Sequence, residues 1–256
     1  MGRIIAIANQ KGGVGKTTTN INLASCLAQS GKRVLAVDID PQGNTTSGLG
    51  VDKNTLRKTI YNLLLGECYI EEIMVETGVE NLKLLPANID LAGAEIELVD
   101  RPQREYILKE ILDNAKYLYD FILIDCPPSL NMLTVNALTA ADTVLVPIQC
   151  EYYALEGLTQ LLHTISLVQK KLNPFLKIEG IVFTMYDSRT NLSAQVVEEV
   201  KKHLPAQVFR SIVPRNVRLS EAPSHGLPIS LYDEKSKGAE AYFLLAQEVM
   251  EKEVWT

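Results

Sequence analysis

The sequence predicts an α/β fold in which a mostly parallel, twisted sheet carries helices on both faces, giving three layers. One observation is a series of short, continuously apolar runs, such as Ile4–Ala8, Lys32–Asp38 and Asp120–Asp125. Strands that are buried on both faces have such runs, whereas strands with one face in water alternate. The other observation is that most of these runs are separated by stretches with apolar residues at helical spacing, which is typical of a parallel sheet with crossover helices.

The size and composition are those of an ordinary globular protein. The 256 residues are 46% hydrophobic and 22% charged, and we expect one domain, 1–256. We find no apolar run of the roughly 18–20 residues that span a membrane. The chain enters a strand at once, without the features of a signal peptide, so we expect a cytoplasmic protein with no membrane partner. The net charge of −6 argues against a generally basic nucleic-acid binder.

Four cysteines, at positions 26, 68, 126 and 150, have no Cys-x-x-Cys spacing and lie in otherwise apolar segments. We interpret them as reduced, mostly buried thiols. This spacing argues against a carrier of a metal cluster.

Taken in order, the first strand is followed by a helix over Thr19–Ala28, which Gly31 is expected to end. Residues 52–115 form a more variable half, to which we assign no chemistry. Its predicted elements are helices over Thr55–Leu65, Ile70–Thr77, Asp90–Val99 and Gln103–Lys116 and a strand over Asn81–Pro86. Beyond Asp125 we predict strands over Asp142–Pro147, Lys177–Met185 and Gln207–Val213, and helices ending near Lys171, near Leu204 and over Gly238–Lys252.

Residues 11–18, Lys-Gly-Gly-Val-Gly-Lys-Thr-Thr, lie between the first strand and the first helix. This is the context of a phosphate-binding loop, so the fold is expected to be of the P-loop NTPase type. Glycines let successive backbone N–H groups point at phosphates, and the helix N-terminus adds further donors. Lys16 would contact the β- and γ-phosphates of ATP, and the Thr17 hydroxyl would bind Mg²⁺. The alternative is a glycine-rich turn that binds nothing. The candidate nucleotide-binding residues of the loop are Lys11, Gly12, Gly13, Val14, Gly15, Lys16, Thr17 and Thr18.

Carboxylates follow two of the predicted strands. Asp38 and Asp40 end the second strand and precede Pro-Gln-Gly, where ligands bind in open α/β sheets. Asp40 is a candidate for positioning Mg²⁺ or the attacking water, whereas Asp38 is either functional or a turn-forming or capping residue. Asp125 ends an apolar strand in the Walker B arrangement and would reach Mg²⁺ through water. Because Cys126 and not Glu follows it, we expect a slow, switch-like ATPase.

The loop departs from the usual P-loop pattern in two ways: Gln10 occupies the first glycine position, and Lys11 adds a second lysine. It resembles the deviant Walker A family, Lys-Gly-Gly-x-Gly-Lys-Thr, which includes the ParA/Soj partition ATPases, MinD and the nitrogenase iron protein. The resemblance implies that Lys11 crosses a dimer interface to the partner subunit's nucleotide. It also implies that the adenine lies between Met185 and the Pro214-Arg215-Asn216 segment, with Asn216 supplying the polar contact.

Two further segments, 151–157 (Glu-Tyr-Tyr-Ala-Leu-Glu-Gly) and 214–226, resemble the partition branch. Tyr152 and Tyr153 are either core residues, which we favour, or an exposed recognition pair. Residues 181–218 contain six Lys or Arg against three Asp or Glu. Within them Arg189 and Arg218 are candidate DNA contacts, although such charges normally belong to a solvated helix face.

The resemblance to the partition branch implies an ATP-dependent switch. ATP joins two subunits into a homodimer, the dimer binds double-stranded DNA non-specifically, and a ParB/Spo0J-type partner stimulates hydrolysis and release. The expected location is therefore the cytoplasm, on the nucleoid. One alternative is a MinD-like, membrane-associated division-site ATPase, which would need a basic amphipathic C-terminal tail where this tail is acidic. Another is a metabolic P-loop phosphoryl-transfer enzyme.

Overall fold

The computed structural model describes residues 2–151 and 154–252, and within them one twisted sheet of eight strands. The strand order is β3-β4-β2-β5-β1-β6-β7-β8, and every neighbouring pair is parallel except β3 with β4. The strands are β1 Arg3–Ile7, β2 Val34–Asp38, β3 Val75–Glu76, β4 Leu82–Leu85, β5 Phe121–Asp125, β6 Thr143–Gln149, β7 Lys177–Tyr186 and β8 Val208–Pro214.

The helices connect these strands and cover the sheet. They are α1 Lys16–Gln29, α2 Asn44–Gly48, α3 Ile60–Leu64, α4 Ile70–Ile73, α5 Leu91–Glu97, α6 Ile107–Ala115, α7 Met132–Ala140, α8 Ala154–Lys171, α9 Asn191–His203, α10 Val217–Glu221, α11 Ile229–Tyr232 and α12 Lys237–Glu251, with 3₁₀ turns at Pro205–Gln207 and Ala222–His225.

Alternate residues of the central strands pack into two separate cores. Ile4 and Ala6 belong to the core beneath α3–α9, and Ile5 and Ile7 to the core beneath α1, α10, α11 and α12. All five residues of β1 are buried, because both faces of the sheet are covered. The predicted three-layer α/β fold with a mostly parallel sheet is confirmed. The extent of the domain, 1–256, stays a prediction.

The variable half differs from the prediction in its details. The predicted helix over Ile70–Thr77 is wrong in its second part, because the chain becomes extended at Met74 and forms β3. Strand β3 pairs antiparallel with β4, and Glu76 forms an ion pair of 2.7 Å with its register partner Lys83. Helix α3 starts five residues later than predicted, because Thr59 and Asn62 form a capping box at its N-terminus.

Helix α7 was not predicted from the sequence. Its residues are buried on every side except at Met132 and Val135, so it lacks the apolar stripe that reveals a surface helix. Of the cysteines, Cys26, Cys126 and Cys150 are buried and Cys68 is half-buried, all as free thiols. This agrees with the interpretation of mostly buried thiols, and burial raises the pKa of the Cys126 thiol far above its usual value. In the part of the chain that the structure describes, no helix has both the length and the apolarity needed to cross a bilayer.

A buried ion pair joins distant parts of the chain at the N-terminal edge of the sheet. The Arg3 guanidinium lies 3.0 Å from Glu179 on β7, and the two side chains are 9% and 2% exposed. The second Glu179 oxygen accepts from the Thr143 hydroxyl at 2.6 Å, and Arg3 also donates to the Val249 carbonyl of α12. The pair therefore links β1, β6, β7 and α12.

We expect Glu179→Ala to lower the free energy of unfolding by about 3–5 kcal/mol, because it leaves the Arg3 charge buried without its partner. Urea unfolding followed by circular dichroism would measure the change. Glu76→Ala, which removes an exposed ion pair of similar length, is the control and should leave the urea midpoint unchanged. Equal effects of the two substitutions would contradict this role of the buried pair.

Candidate functional site

The sequence-predicted site residues meet at one edge of the sheet, where the parallel strands end. The loop of residues 8–15 joins β1 to α1 in the centre, and Asp38 and Asp125 end the neighbouring strands β2 and β5. On the other side of β1, the ends of β7 and β8 supply Met185 and Pro214. Ligands bind at this edge in open α/β sheets.

The loop of residues 11–15 has the backbone conformation that its glycines allow. Gly13 and Gly15 have φ angles of +75° and +88°, in the left-handed region that other residues rarely adopt. A Cβ atom on Gly12 or Gly13 would meet nothing within 4 Å, so the loop backbone is open to a ligand. The Thr184 hydroxyl of β7 donates to the Val14 carbonyl at 2.8 Å and fixes the loop against the sheet.

The two lysines of the loop have different environments. Lys16 is 7% exposed, and its Nζ donates to the Lys11 carbonyl at 3.2 Å. Burial lowers the pKa of Lys16, while the nearby Asp125, Cys126 and Asp40 raise it. Lys11 instead faces outwards, and its Nζ donates to Glu151 of the same chain at 2.8 Å. Because both side chains of that pair are partly exposed, at 32% and 46%, the pair is weak and Lys11 can exchange partners.

Asn9 was missed in the sequence analysis. Its side-chain oxygen accepts from the Lys11 N–H at 3.1 Å, and its amide nitrogen donates to the Pro147 carbonyl of β6 at 2.7 Å. It therefore fixes the start of the loop. The only signal in the sequence is a polar residue directly after a buried strand, which by itself is common.

Asp38 and Asp125 are fully buried side by side. Both oxygens of Asp38 have hydrogen-bond partners, since Asp38 accepts from the Thr46 N–H and hydroxyl, both at 2.8 Å, and from the Asp40 N–H at 3.2 Å. Of the two interpretations of Asp38 in the sequence analysis, these contacts support the structural one, because Asp38 satisfies the N–H of the third residue of α2, whose N-cap Gly43 has no side-chain cap. Burial, the largest cause, raises the pKa of both carboxyls. For Asp125 the proximity of Asp38 raises it further, and the Thr17 and Thr45 hydroxyls oppose the increase.

In the part of the chain that the structure describes, only one carboxylate oxygen of Asp125 has a hydrogen-bond partner. Its Oδ2 accepts from the Thr45 hydroxyl at 2.8 Å, while Oδ1 has no hydrogen-bond partner within the described residues. An unpaired buried acceptor costs about 1–3 kcal/mol, so a missing partner is expected here. Asp40 is 8% exposed, and its Oδ1 accepts from the Gln42 N–H at 2.9 Å.

These residues fit a magnesium–nucleotide complex. No cluster of three or more His, Cys, Asp or Glu side chains able to bind a metal occurs in residues 2–151 and 154–252. Magnesium does not need one, because it commonly takes one or two protein ligands together with water and phosphate oxygens. The unpaired oxygen of Asp125, near the Thr17 hydroxyl, is the observation that fits this ion.

Beside the loop lies a cavity of about 310 Å³. Its size lies at the lower end of the range for small-molecule sites. Asn216 caps α10, and its Oδ1 accepts from the Arg218 N–H at 2.8 Å. Its amide nitrogen is therefore the atom left to contact a base, as a donor. The lining includes Gly15 and Thr18 of the loop together with Met185, Pro214, Arg215 and Asn216.

Arg189 and Arg218 follow β7 and β8 at the same edge, and both are exposed. Arg189 donates two hydrogen bonds, of 2.9 and 2.7 Å, to Asp187, and this pairing lowers the pKa of that carboxyl. Arg218 pairs with Glu221 at 2.9 Å and lies 3.5 Å from Asp233. The positive charge is therefore smaller than a count over residues 181–218 indicates. Tyr152 and Tyr153 lie outside the described residues.

Comparison with known proteins agrees with this geometry. The family model described as "AAA domain" matches residues 2–178. The chain is 61% identical over 249 residues to the sporulation initiation inhibitor protein Soj of Bacillus subtilis, covering 97% of this chain and 98% of that protein. It is 58% identical over 253 residues to the chromosome partitioning protein ParA of Myxococcus xanthus, covering 99% of this chain and 89% of that protein.

Among solved structures, the chain resembles one from Mycobacterium smegmatis named cobyrinic acid a,c-diamide synthase, with bound ADP and magnesium. The TM-score is 0.85 at 45% identity, covering 96% of this chain and 93% of that one. The relatives with higher identity are a Soj and a ParA protein that match along nearly their whole length, and the ParA is named a chromosome partitioning protein. The chain therefore belongs to the ParA/Soj family of chromosome-partitioning ATPases.

Proposed function

We propose that this chain is an ATP-dependent switch for chromosome or plasmid partition, which binds Mg·ATP, dimerises, binds DNA non-specifically and leaves it after slow hydrolysis. The observation that carries the proposal is the convergence of the loop, Lys16, the partly unpaired Asp125 and the base cavity at one edge of the sheet. The bound ADP and magnesium of the Mycobacterium smegmatis structure support the choice of nucleotide and ion.

The chain's own residues bind and orient the nucleotide. The open backbone around Gly12 and Gly13 accepts the phosphates, and Lys16 exchanges its hydrogen bond to the Lys11 carbonyl for phosphate oxygens. Thr17 and Asp125 would hold Mg²⁺, and Asp40 would position that ion or the attacking water. When bound, Mg²⁺ neutralises phosphate charge during transfer. Because Cys126 follows Asp125, the position lacks a carboxylate base, and hydrolysis relies on positioning.

Lys11 is the proposed contact between subunits. Its ammonium group lies at the surface on the weak pair with Glu151, so it can move to the nucleotide of a second copy. Two facing triphosphates carry a high negative charge, and a cation supplied by each partner offsets it. The homodimer is therefore expected only with ATP.

Arg189 and Arg218 are the proposed DNA contacts, and a dimer doubles their number along one duplex. Each must exchange a carboxylate for a DNA phosphate, so binding is expected to be weak in the monomer and salt-sensitive in the dimer. We propose a ParB/Spo0J-type protein as the activator of hydrolysis, as the family resemblance implies. A DNA-bound switch implies a cytoplasmic, nucleoid-associated location.

Two rival functions make different predictions. A MinD-like switch would bind lipid instead of DNA. Helix α12 carries Glu240, Glu248 and Glu251, whereas helices that lie on a membrane surface are rich in Lys and Arg. A metabolic enzyme, such as the name of the Mycobacterium smegmatis structure describes, would turn over a small substrate without DNA. Sedimentation with and without ATP, duplex DNA and anionic vesicles separates the three functions.

Lys16→Ala should weaken ATP binding by roughly two orders of magnitude or more, because it removes a buried cation from the phosphates. Titration with a fluorescent ATP analogue would measure the affinity. Lys32→Ala, at the opposite edge of the sheet, is the control and should bind like the wild type. Tight binding by the Lys16 variant would refute the loop as the nucleotide site.

Asp40→Ala should keep ATP binding, slow hydrolysis roughly tenfold or more and accumulate an ATP-bound dimer, because water or metal positioning is lost. Phosphate release and sedimentation would measure the two effects. Asp52→Ala is the matched control, since Asp52 accepts from the N–H two residues ahead, as Asp40 does, but on an exposed loop. Normal turnover by the Asp40 variant would exclude it from the mechanism.

Arg189→Ala and Arg218→Ala should each weaken DNA binding while ATP-dependent dimerisation is kept. Each lost phosphate contact should reduce the slope of log K against log salt by about 0.9, or about 1.8 per dimer. Fluorescence anisotropy across a salt series would measure it. Arg33→Ala is the control, because Arg33 is also an exposed, carboxylate-paired arginine but lies at the opposite edge of the sheet. An unchanged slope would identify the two arginines as ordinary solvated surface.

A further inference from the structure

Helix α2 directly follows the Asp40–Gly43 segment, and its two consecutive threonines contact the two strand-end carboxylates. The Thr45 hydroxyl donates to Asp125 Oδ2 and the Thr46 hydroxyl to Asp38 Oδ2, each at 2.8 Å. Asp38 and Asp125 are register partners on the adjacent strands β2 and β5. One short helix is thus connected to both carboxylates.

The two threonine contacts are not equivalent. The Thr46 hydroxyl also accepts from the Ala87 N–H at 2.9 Å, and both oxygens of Asp38 have hydrogen-bond partners. The contact between Thr46 and Asp38 is therefore structural. The contact between Thr45 and Asp125 involves groups that still lack partners among the described residues. Its hydroxyl accepts from the Asn20 amide of α1 at 3.3 Å, yet Asn20 Oδ1 and Asp125 Oδ1 are both buried and have no hydrogen-bond partner in the described parts of the chain.

The hydrogen bonds that connect Asn20, Thr45 and Asp125 have a defined direction. The Asn20 amide donates to the Thr45 oxygen, and the single Thr45 proton is therefore directed at Asp125 Oδ2. This contact fixes one carboxylate oxygen and leaves the other unpaired. Loss of a polar group that orients a metal ligand in this way typically lowers the affinity for the metal by about 10- to 100-fold.

We propose that Thr45 and Asn20 are positioning residues for Asp125, which hold its unpaired oxygen available to magnesium and connect that oxygen to the Asp40–Gly43 segment through α2. The inference rests on the proposed magnesium–nucleotide site. All three side chains are fully buried, so no solvent competes with the chain of hydrogen bonds. A shift of α2 would move Thr45 away from Asp125 and change the metal site.

The test compares nucleotide affinity with magnesium and with EDTA, using a fluorescent ADP analogue on the full chain. Thr45→Val removes the hydroxyl at nearly constant volume. We expect the gain in affinity that magnesium confers to fall about 10- to 100-fold, with the affinity in EDTA unchanged. Thr45→Ser, which keeps the hydroxyl, should restore the gain.

Thr139→Val is the matched control, because Thr139 is equally buried but donates to the Val135 carbonyl within α7. It should keep the full magnesium effect. If Thr45→Val does not fold, Asn20→Ala replaces it in the test and should reduce the magnesium effect about threefold or more, because the Thr45 proton is then no longer directed at Asp125.

A full magnesium effect in folded Thr45→Val would overturn the inference, as would an equal loss of affinity in EDTA, which indicates a role in the loop alone. In either case a wild-type chain that gains affinity with magnesium still supports the proposed function. Should the wild type gain none, the proposed magnesium site itself fails.

Discussion

The parallel register of β2 and β5 is the constraint on which the rest of the site depends. It places Asp38 opposite Asp125, on strands that lie about 4.8 Å apart, with both carboxyls out of water. Buried carboxylates lack solvation, so burial raises the pKa of both, and the proximity of Asp38 raises the pKa of Asp125 further. The fold must therefore supply compensating groups at this point.

Those groups come from different parts of the chain. Thr45 and Thr46 arrive on α2, Thr17 and the Lys16 ammonium arrive at the start of α1, and the nucleotide's metal is the expected final contribution. The α2 threonines contact both carboxylates, the carboxylates lie beside the proposed magnesium–phosphate site, and α2 directly follows the Asp40–Gly43 segment. A change at the phosphates can thus reach the Asp40–Gly43 segment through side chains that are already in contact. This is a physical basis for the proposed switch, and it needs no large movement of the sheet.

The positive charge at the surface depends on which arginines are paired with acidic side chains. Counted along the chain, residues 181–218 carry an excess of three positive charges. In three dimensions Arg218 meets Glu221 and Asp233, and Arg210 meets Glu248 and Glu251, all outside that interval. Lys201 and Lys202, by contrast, are exposed and have no ion pair in the described ranges. The cationic surface is therefore smaller than the count over residues 181–218 suggests, and the proposed doubling by a dimer matters more.

The sequence by itself determined the α/β class, the central strands, the loop and the strand-end carboxylates, because continuous apolar runs and glycine spacing are local signals. The tertiary structure alone decided what is not local. It turned Val75 and Glu76 into a strand through pairing with β4, and it buried α7, which therefore shows no periodicity. It also made the two carboxyls different: both oxygens of Asp38 have hydrogen-bond partners, whereas one oxygen of Asp125 has none within the described residues. The threonines that contact them have no sequence signal that predicts these contacts. Hydrogen-bond partners far apart in the chain are set by packing, and no pattern along the chain records them.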